Sequence, residues 1–388
     1  MIARILLVAG SDSGGGAGIQ ADLKTVTMLG GHGLTVITAI TAQNSEGVSA
    51  VHPVPLPVVA AQLDAVVPDF GVDAVKVGMV ASPAMVDLLV TALAPLAAAG
   101  VPVVVDPVMV AASGARLIDE ATTRVLPRLL ALARVVTPNR DELALLGGED
   151  VLVAALRPGA ALLVKGGSEG DPIIDRLVDG HGEQARWSAP PIATRHTHGT
   201  GCTLASAVAT RLGQGLSLID AVAQARTFVR IALHAAPGLG HGHGPLGHAD
   251  VRLDVGLGAG PRLNQVTVPC RDYAASVAFY RQLGLRQLVA SPPRYARFEA
   301  AGGATLSIEV GDPAAGAAGD GVTVFLECDD LDTRVAALVA GGVAFEHGPV
   351  DQAWRWREAR LRDPAGNRLC LYQAGEVRRF PPWRLAGA

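Results

Sequence analysis

The stretch His198-Gly199-Thr200-Gly201-Cys202-Thr203 joins a polar loop to an apolar, alanine-rich run that is typical of a helix. Two glycines and several backbone N–H groups therefore stand at a predicted helix N-terminus, where the helix dipole and unpaired donors favour an anion. The same field is expected to lower the pKa of the Cys202 thiol. The pattern predicts a phosphate cradle beside a potential base and so indicates phosphoryl transfer, although Gly-Thr-Gly turns also serve as plain helix entries.

The length of the chain predicts two domains, and its composition limits the partners. It has 388 residues, an apolar fraction of 49% and a net charge of −4 without a basic block. Binding to nucleic acid or to an anionic membrane surface therefore has no electrostatic support. The four cysteines form no CxxC pair, which disfavours a zinc or dithiol site and favours a reducing, cytoplasmic location. We also identify no signal peptide and no membrane-spanning run.

A change in aromatic content marks the domain boundary. Residues 1–249 contain three aromatic residues and residues 250–388 contain twelve. The glycines and prolines of 237–245, just before this change, are incompatible with regular structure. We predict a first domain at 1–250, a linker at 251–261 and a second domain at 262–388.

Short aliphatic runs alternate with helical stretches through the first domain. Such runs are typical of strands buried on both faces, and their alternation with helices predicts an α/β fold with a mostly parallel central sheet between two helical layers. Ligands of such sheets bind beyond the C-terminal ends of the strands. The predicted strands are 4–9, 35–40, 74–77, 102–105, 134–137 and 161–165, and the predicted helices include 17–29, 55–68, 83–98, 120–132 and 203–211.

The second domain shows a β-α-β-β-β order twice, which predicts an α+β domain of two paired modules. The first module has strands at 263–268, 286–290, 294–299 and 304–310 and a helix at 273–283. The second has strands at 322–328, 343–346, 355–362 and 368–373 and a helix at 331–340.

Polar groups follow several predicted strands of the first domain. Gly10 begins a glycine-rich loop that permits close backbone approach to a ligand but matches neither a Walker A motif nor a clean Rossmann fingerprint. Asp106 could hold Mg²⁺ or cap a turn. Asn139 and Glu142 have a spacing that fits either ligand binding or a capping box. Lys165, one of only three lysines, precedes a glycine turn and suits a nucleotide phosphate.

Residues 1–249 resemble the hydroxymethylpyrimidine and hydroxymethylpyrimidine-phosphate kinases of thiamine biosynthesis, which belong to the ribokinase-like superfamily. The resemblance covers the whole segment and rests on seven motifs in order. They are residues 9–13 with 15–22, 38–44, 76–79, 106–109, 137–139 with Glu142, 165–167, and 198–203. The resemblance implies ATP-dependent phosphorylation of 4-amino-5-hydroxymethyl-2-methylpyrimidine and of its monophosphate.

The resemblance also implies roles for the matching residues. Cys202 would be the base for the substrate hydroxyl, and the backbone of Gly199, Thr200 and Gly201 would form the anion hole. Substrate binding is implied for Gln43, Met79, Val108, Gly10 and Asp22, with the Gln43 carboxamide bonding the aminopyrimidine. Lys165, Asn139 and Gly166 would bind ATP, and Asp106 and Glu142 would organise Mg²⁺.

Some positions depart from the family pattern, and other functions stay open. Ser168, Ala193 and His196 replace residues that are common near the nucleotide, which could alter ATP affinity. Pyridoxine or pyridoxal kinase activity is the nearest alternative. A non-catalytic binding domain is disfavoured because the set of reacting groups is intact. Both domains resemble families that commonly form homodimers.

Residues 262–388 resemble the vicinal-oxygen-chelate superfamily, which includes glyoxalase I, extradiol dioxygenases and bleomycin-resistance proteins. The carriers are 263–268, 276–280, 283–285, 331–332 and an Asp-Pro-Ala-Gly-Asn turn at 363–367. The family's metal-ligand positions match Gln265, Glu309, Thr323 and Cys370, a set that does not favour a catalytic metal. Trp354 and Trp356 could line a cleft for an aromatic ligand or belong to an amphipathic strand edge. Our candidate pocket is therefore Gln265, Glu309, Trp354 and Trp356, in a small-molecule binding module or, alternatively, a metal-dependent enzyme.

Overall fold

The protein forms two compact units, Met1–Leu253 and Asp254–Ala388. The structure is a computed structural model that describes residues 2–109, 118–166, 172–251, 262–270, 272–282, 285–299, 303–310, 323–362, 368–378 and 380–385. Apart from its first residue, the predicted linker at 251–261 lies outside the described residues, as does the predicted turn at 363–367.

A sheet that contains nine strands within the described residues forms the centre of the first unit. The strands are β1 (Arg4–Asp12), β2 (His32–Gln43), β3 (Val48–Pro53), β4 (Ala74–Val77), β5 (Val103–Val105), β6 (Val135–Val136), β7 (Ala161–Val164), β8 (Ile173–Asp179) and β9 (Gly182–Ala189). Their order across the sheet is β3-β2-β1-β4-β5-β6-β7-β8-β9.

The six consecutive strands from β2 to β7 in this order are parallel, which confirms the predicted α/β fold class. All side chains of β4 and β5 are buried, because helices cover both faces of the sheet. Our strand predictions omitted β3, β8 and β9, which pair antiparallel at the two edges. Their exposed or alternating side chains lack the continuous apolar pattern of the central strands.

The helices of the first unit are α1 (Gly18–Met28), α2 (Leu56–Phe70), α3 (Pro83–Ala98), α4 (Glu120–Val125), α5 (Pro127–Leu130), α6 (Arg140–Leu145), α7 (Glu149–Ala155), α8 (Thr200–Gly213) and α9 (Leu218–His234). The single helix predicted at 120–132 is divided into α4 and α5 at Leu126, before Pro127, although the backbone of Leu126 stays in the right-handed helical region. Proline cannot donate the backbone bond that would continue the helix. None of the described helices has the length and hydropathy needed to cross a membrane.

The second unit contains one sheet whose eight described strands form two β-α-β-β-β modules, as predicted. The first module comprises β10 (Arg262–Cys270), α10 (Tyr273–Gln282), β11 (Arg286–Ser291), β12 (Tyr295–Glu299) and β13 (Thr305–Val310). The second comprises β14 (Thr323–Glu327), α11 (Leu331–Ala340), β15 (Phe345–Asp351), β16 (Arg357–Arg362) and β17 (Arg368–Gln373). The modules meet where β10 pairs with β14, and the strand order is β11-β12-β13-β10-β14-β17-β16-β15. Apolar side chains of α10 and α11 pack against the same face of this sheet.

Candidate active site

A cavity of about 710 Å³ lies beyond the C-terminal ends of the parallel strands of the first unit. This is where ligands of open α/β sheets bind, and the volume suits a small organic molecule. Every site residue that we predicted in the first domain lines this cavity, except Asp22. The lining set comprises Gly10, Gln43, Met79, Asp106, Val108, Asn139, Glu142, Lys165, Gly166, Gly199, Thr200, Gly201 and Cys202.

The glycine turn before α8 brings the first turn of that helix to the cavity. Gly199 is the N-cap residue of α8 and has φ 87°, a left-handed conformation that favours glycine. A Cβ atom on Gly199 would lie 1.9 Å from the carbonyl oxygen of Gly16, so the glycine-rich loop and the turn touch backbone to backbone. A Cβ atom on Gly201 would lie 3.2 Å from Asp106 Oδ2 and 3.4 Å from Lys165 Nζ. The helix N-terminus and the two charged side chains therefore converge on one region.

The Cys202 thiol lies in this region, but its electrostatics differ from our prediction. Burial raises the pKa of Cys202 to about 11; Lys76 lowers it, whereas the carboxylates of Asp22 and Asp106 raise it further. The predicted lowering of this pKa is therefore wrong. The favourable field of the helix N-terminus is outweighed by two effects that destabilise the thiolate. These are the loss of its hydration and repulsion by the two carboxylates.

Asp106, Lys165 and Glu142 form a charged cluster at the ends of β5, β6 and β7. Lys165 Nζ lies 2.9 Å from Asp106 Oδ1 and 3.8 Å from Glu142 Oε2. Although burial opposes ionisation of Asp106, Lys165 and Lys76 hold the pKa of this carboxyl below its usual value. Burial raises the pKa of Glu142, and the neighbouring Asp106 carboxylate adds to this effect. One ammonium thus serves two carboxylates, and a further cation would stabilise both in their ionised form.

Asn139 and Glu142 form the capping box, which is one of the two interpretations that the sequence left open. The Asn139 side chain accepts the backbone N–H of Glu142 at 2.8 Å, and Glu142 Oε2 accepts the backbone N–H of Asn139 at 2.8 Å. This is a complete capping box at the start of α6. Both residues also line the cavity, so the cap holds the Glu142 carboxylate toward Lys165.

Asp12 holds the glycine-rich loop, and His198 connects Asp12 to the predicted substrate-binding residue Gln43. The Asp12 carboxylate accepts the backbone N–H groups of Gly14, Gly16 and Ala17 at 2.8–2.9 Å. His198 Nε2 lies 2.9 Å from Asp12 Oδ2 and 3.1 Å from Gln43 Nε2. The motif at 198–203 contains His198 but indicates no role for its side chain, because only the fold brings it to Gln43.

Asp22 does not line the cavity, in contrast to the substrate-binding role implied by the resemblance. Its carboxylate is fully buried, lies 2.7 Å and 2.9 Å from Lys76 Nζ, and accepts a bond from Ser206 Oγ at 2.6 Å. Lys76 is also fully buried. Asp22 therefore connects α1, β4 and α8 and neutralises a lysine, and it does not face a ligand.

Helix α9 supplies cavity residues that sequence reasoning missed, among them Arg226 and Arg230. Arg226 Nε lies 2.6 Å from Asp175 Oδ2, and Asp175 Oδ1 accepts the backbone N–H of Gly166 at 2.8 Å. This chain of bonds joins α9 to the predicted nucleotide-binding turn. Local sequence gives α9 only an amphipathic helical pattern, so its position beside Gly166 required the tertiary structure.

The four candidate pocket residues of the second domain differ in burial and in their position along the sheet. Gln265 is buried and pairs in register with Thr305, whereas Glu309 pairs with Pro269, roughly 13 Å further along the sheet, and is exposed. Trp356 is buried and stacks on Tyr372 with ring centroids 4.5 Å apart. Trp354 is exposed and donates from Nε1 to Glu358.

The other two family ligand positions also lie apart from Glu309. Thr323 pairs with Thr267, and Cys370, which is buried, pairs with Phe325. Over the described ranges, no group of three or more His, Cys, Asp or Glu side chains is placed to hold a metal ion.

Comparison with known proteins gives a family match in each unit. The family model for phosphomethylpyrimidine kinase matches residues 12–247, and the glyoxalase/bleomycin resistance protein/dioxygenase superfamily model matches residues 262–371. A hydroxymethylpyrimidine/phosphomethylpyrimidine kinase of Streptomyces coelicolor is 48% identical over 63% of this chain and 93% of its own length. The thiamine biosynthesis bifunctional protein ThiED of Geobacter sulfurreducens is 49% identical over 65% of this chain, and the match spans 53% of that longer protein.

Solved structures resemble the first unit. Bacillus subtilis pyridoxal kinase, solved as an ADP complex, is 32% identical with a TM-score of 0.58, and the match covers 65% of this chain and all of that one. Phosphomethylpyrimidine kinase of Clostridium difficile is 34% identical with a TM-score of 0.50, and the match covers 59% of this chain and 98% of that one.

Proposed function

This chain belongs to the phosphomethylpyrimidine kinase family, and we propose that its first unit transfers the terminal phosphoryl group of ATP to hydroxymethylpyrimidine and then to the resulting monophosphate. One observation carries the proposal. A single cavity holds Gln43, suited to an aminopyrimidine, together with Cys202, Lys165 and the N-terminus of α8. The residues proposed to bind the pyrimidine, to accept its proton and to bind phosphate thus share one space. Catalysis by positioning the reactants requires such an arrangement.

The residues of this cavity also fit a magnesium ion. Asp106 Oδ1 is engaged by Lys165 and Thr137, which leaves Asp106 Oδ2 for other partners, and Glu142 Oε2 lies 3.8 Å from the same Lys165 ammonium. Mg²⁺ commonly takes one or two carboxylates, completes its shell with water and substrate phosphate, and neutralises charge on the transferred group. Asp106 and Glu142 would hold it.

The residues of the cavity divide the work of the transfer. Gln43 and Met79 orient the pyrimidine, while Lys165 and the N–H groups at the start of α8 bind the phosphate oxygens. The substrate hydroxyl oxygen bonds to the terminal phosphorus as the bond from that phosphorus to the bridging oxygen of ATP breaks. The hydroxyl proton passes to the Cys202 thiolate. Before it can accept that proton, the Cys202 thiol must release its own proton to solvent; burial opposes this ionisation, whereas the charge of Lys76 favours the thiolate.

An ADP-release assay on the full chain tests the proposed function. We expect ADP release with hydroxymethylpyrimidine and with its monophosphate, and a lower kcat/KM with pyridoxal or pyridoxine. Pyridoxal is the second candidate substrate because pyridoxal kinases share this fold at 29–32% identity. Release with pyridoxal alone would support that alternative, and no release with any of these alcohols would contradict both.

Replacing Gln43 with alanine is expected to raise the KM for hydroxymethylpyrimidine about tenfold to a hundredfold, because the buried heterocycle loses both a donor and an acceptor. The KM for ATP should change little. Steady-state kinetics with each substrate varied in turn measures the effect. Gln184→Ala, which changes an exposed glutamine of β9, is the matched control and should leave both constants unaltered. An unchanged pyrimidine KM in Gln43→Ala would place the acceptor elsewhere.

A further inference from the structure

The sheet of the second unit has a strand face, opposite α10 and α11, that carries polar side chains. Side chains alternate along each strand, so Arg297 lies on this face, whereas its neighbours Ala296 and Phe298 pack toward α10. In register, Arg297 lies opposite Ser307, and Ser307 lies opposite Thr267. A guanidinium and two hydroxyl groups therefore form one row across three strands.

Arg297 is a buried cation whose side chain makes no ion pair. It is 3% exposed, no carboxylate among the described residues lies within 4 Å of it, and its Nε has no hydrogen-bond partner there. Burial, together with the nearby Arg378 guanidinium, lowers the pKa of Arg297. A buried charge without a partner destabilises a fold, which indicates that this residue serves a ligand.

Two neighbouring arginines in this unit show the contrast. Arg360 Nη2 lies 2.8 Å from Glu358 Oε2, and Arg378 Nε lies 3.4 Å from Glu327 Oε2. Each of these guanidinium groups has a carboxylate, whereas Arg297 has only the face of the Trp356 ring, 5.3 Å from its centroid. The stacked indole holds one flat side of the guanidinium and leaves its N–H edge for a bidentate anion.

Hydroxyl groups complete the surroundings of Arg297. Ser307 is fully buried and its Oγ lies 2.7 Å from Thr267 Oγ1, while Tyr295 lies two residues before Arg297 on β12 and therefore on the same face of the sheet. Hydroxyl groups can donate to the oxygens of a phosphate or carboxylate. The set is therefore rich in donors around a single cation.

The C-terminal segment encloses this face. Ala374 and Val377 pack against the aromatic cluster of Phe325, Trp356 and Tyr372. Beyond them, the Arg378 guanidinium donates to the carbonyl oxygen of Gly303, and Leu385 N–H donates to the carbonyl oxygen of Leu288 in β11. The segment thus passes from β17 to the far edge of the sheet, which shields the Arg297 region from water and strengthens charge interactions there.

We propose that Arg297, Ser307, Thr267 and Tyr295 form a binding site for the phosphate or carboxylate group of a small organic anion. A phosphorylated heterocycle, the product class of the first unit, combines the required charge with a flat ring, and this choice of ligand rests on the proposed function. The site itself rests only on the strand face of the second unit.

Equilibrium dialysis of the full chain tests the site with four probes: phosphomethylpyrimidine, uncharged hydroxymethylpyrimidine, inorganic phosphate and benzoate. We expect Arg297→Gln to weaken binding of benzoate or inorganic phosphate about tenfold to a hundredfold, as expected for the loss of a charged hydrogen-bonding partner. Comparison of the affinities for inorganic phosphate and for benzoate identifies whether the site prefers a phosphate or a carboxylate group. For phosphomethylpyrimidine, which the kinase cavity also binds, the expected result is the loss of one of two binding sites.

Two control variants separate this role from a structural one. Arg294→Gln removes an exposed guanidinium three residues away and should leave binding of all probes unchanged. Arg297→Lys keeps the charge but loses the planar guanidinium group, which can donate two parallel hydrogen bonds to one anion. We therefore expect an affinity between those of the wild type and Arg297→Gln. Thermal unfolding of Arg297→Gln should not begin at a lower temperature than in the wild type, since the substitution removes an unpaired buried charge.

The outcomes distinguish this proposal from the kinase proposal. Anion binding that is unchanged in Arg297→Gln, or equal binding of the charged and uncharged pyrimidines at the second site, would overturn the anion site. ADP release by the kinase cavity should be unaltered in Arg297→Gln. Loss of benzoate binding in that variant would support the anion site even in a chain that phosphorylates no pyrimidine.

Discussion

Replacing Cys202 with alanine is expected to lower kcat for pyrimidine phosphorylation about a thousandfold, because the group that accepts the hydroxyl proton is removed. The affinity for hydroxymethylpyrimidine should stay within about twofold of the wild-type value, since recognition rests on Gln43 and Met79 and a Cys-to-Ala change removes little volume. ADP release measures the first effect, and calorimetric titration with the pyrimidine measures the second.

The controls for this result use other thiols and a milder substitution. Cys328→Ala removes a buried thiol of the second unit and should leave kcat unchanged. Cys202→Ser replaces the thiol by a hydroxyl of similar size. Because a serine hydroxyl is a much weaker base than a thiolate, the kcat of this variant should lie near that of the alanine variant. Turnover of Cys202→Ala close to the wild-type rate would remove Cys202 from the proton-accepting role and leave the α8 N-terminus and Lys165 as the main contributors.

Replacing Lys76 with methionine is expected to destabilise the first unit by about 3–5 kcal/mol, because it leaves the Asp22 carboxylate buried without its cation. Both partners are completely buried, and Lys76 Nζ lies 2.7 Å from Asp22 Oδ2. Although burial lowers the pKa of Lys76, the charges of Asp22 and Asp106 help to raise it above its usual value, so this lysine is charged in the folded protein. Urea unfolding followed by circular dichroism measures the loss.

A second substitution and a matched lysine test the cause of this destabilisation. Asp22→Asn added to Lys76→Met removes the stranded charge and should restore most of the lost stability. Lys24→Met changes an exposed lysine of α1 and should cost less than about 1 kcal/mol. If Lys76→Met alone matched the stability of the wild type, the pair would contribute no net stabilisation, and its role would be limited to the electrostatics around Cys202.

The local sequence pattern was sufficient to predict most helices and strands of both units. The aliphatic runs in the predicted strands 102–105 and 161–165 correspond to β5 and β7, because a strand buried on both faces needs continuous apolar residues and no other context. The edge strands β3 and β9 escaped prediction, since exposed or alternating side chains carry no such pattern, and β8, which lies between β7 and β9, interrupts its apolar residues with charged ones. The break at Leu126 was also missed, although Pro127 was visible in the sequence.

The candidate site was predictable as a set of residues but not as an arrangement. Ordered motifs identified Asp106, Glu142, Lys165 and Cys202, and the structure brings all four to one cavity. The resemblance alone could not show that Asp22 turns away from that cavity toward Lys76. In the second unit, the ligand positions of the family led to Gln265 and Glu309, whereas the buried cation without a carboxylate is Arg297.

The sequence by itself determined the fold class and indicated two domains and the set of residues that we propose for the chemistry. These depend on local composition, periodicity and short motifs, which do not require knowledge of distant neighbours. Only the tertiary structure decided the ionisation of Cys202, the pairing of Asp22 with Lys76 and the isolation of Arg297. Each of these depends on burial and on charges contributed by strands and helices far apart in the chain, and the free energy of a charge is set by those surroundings.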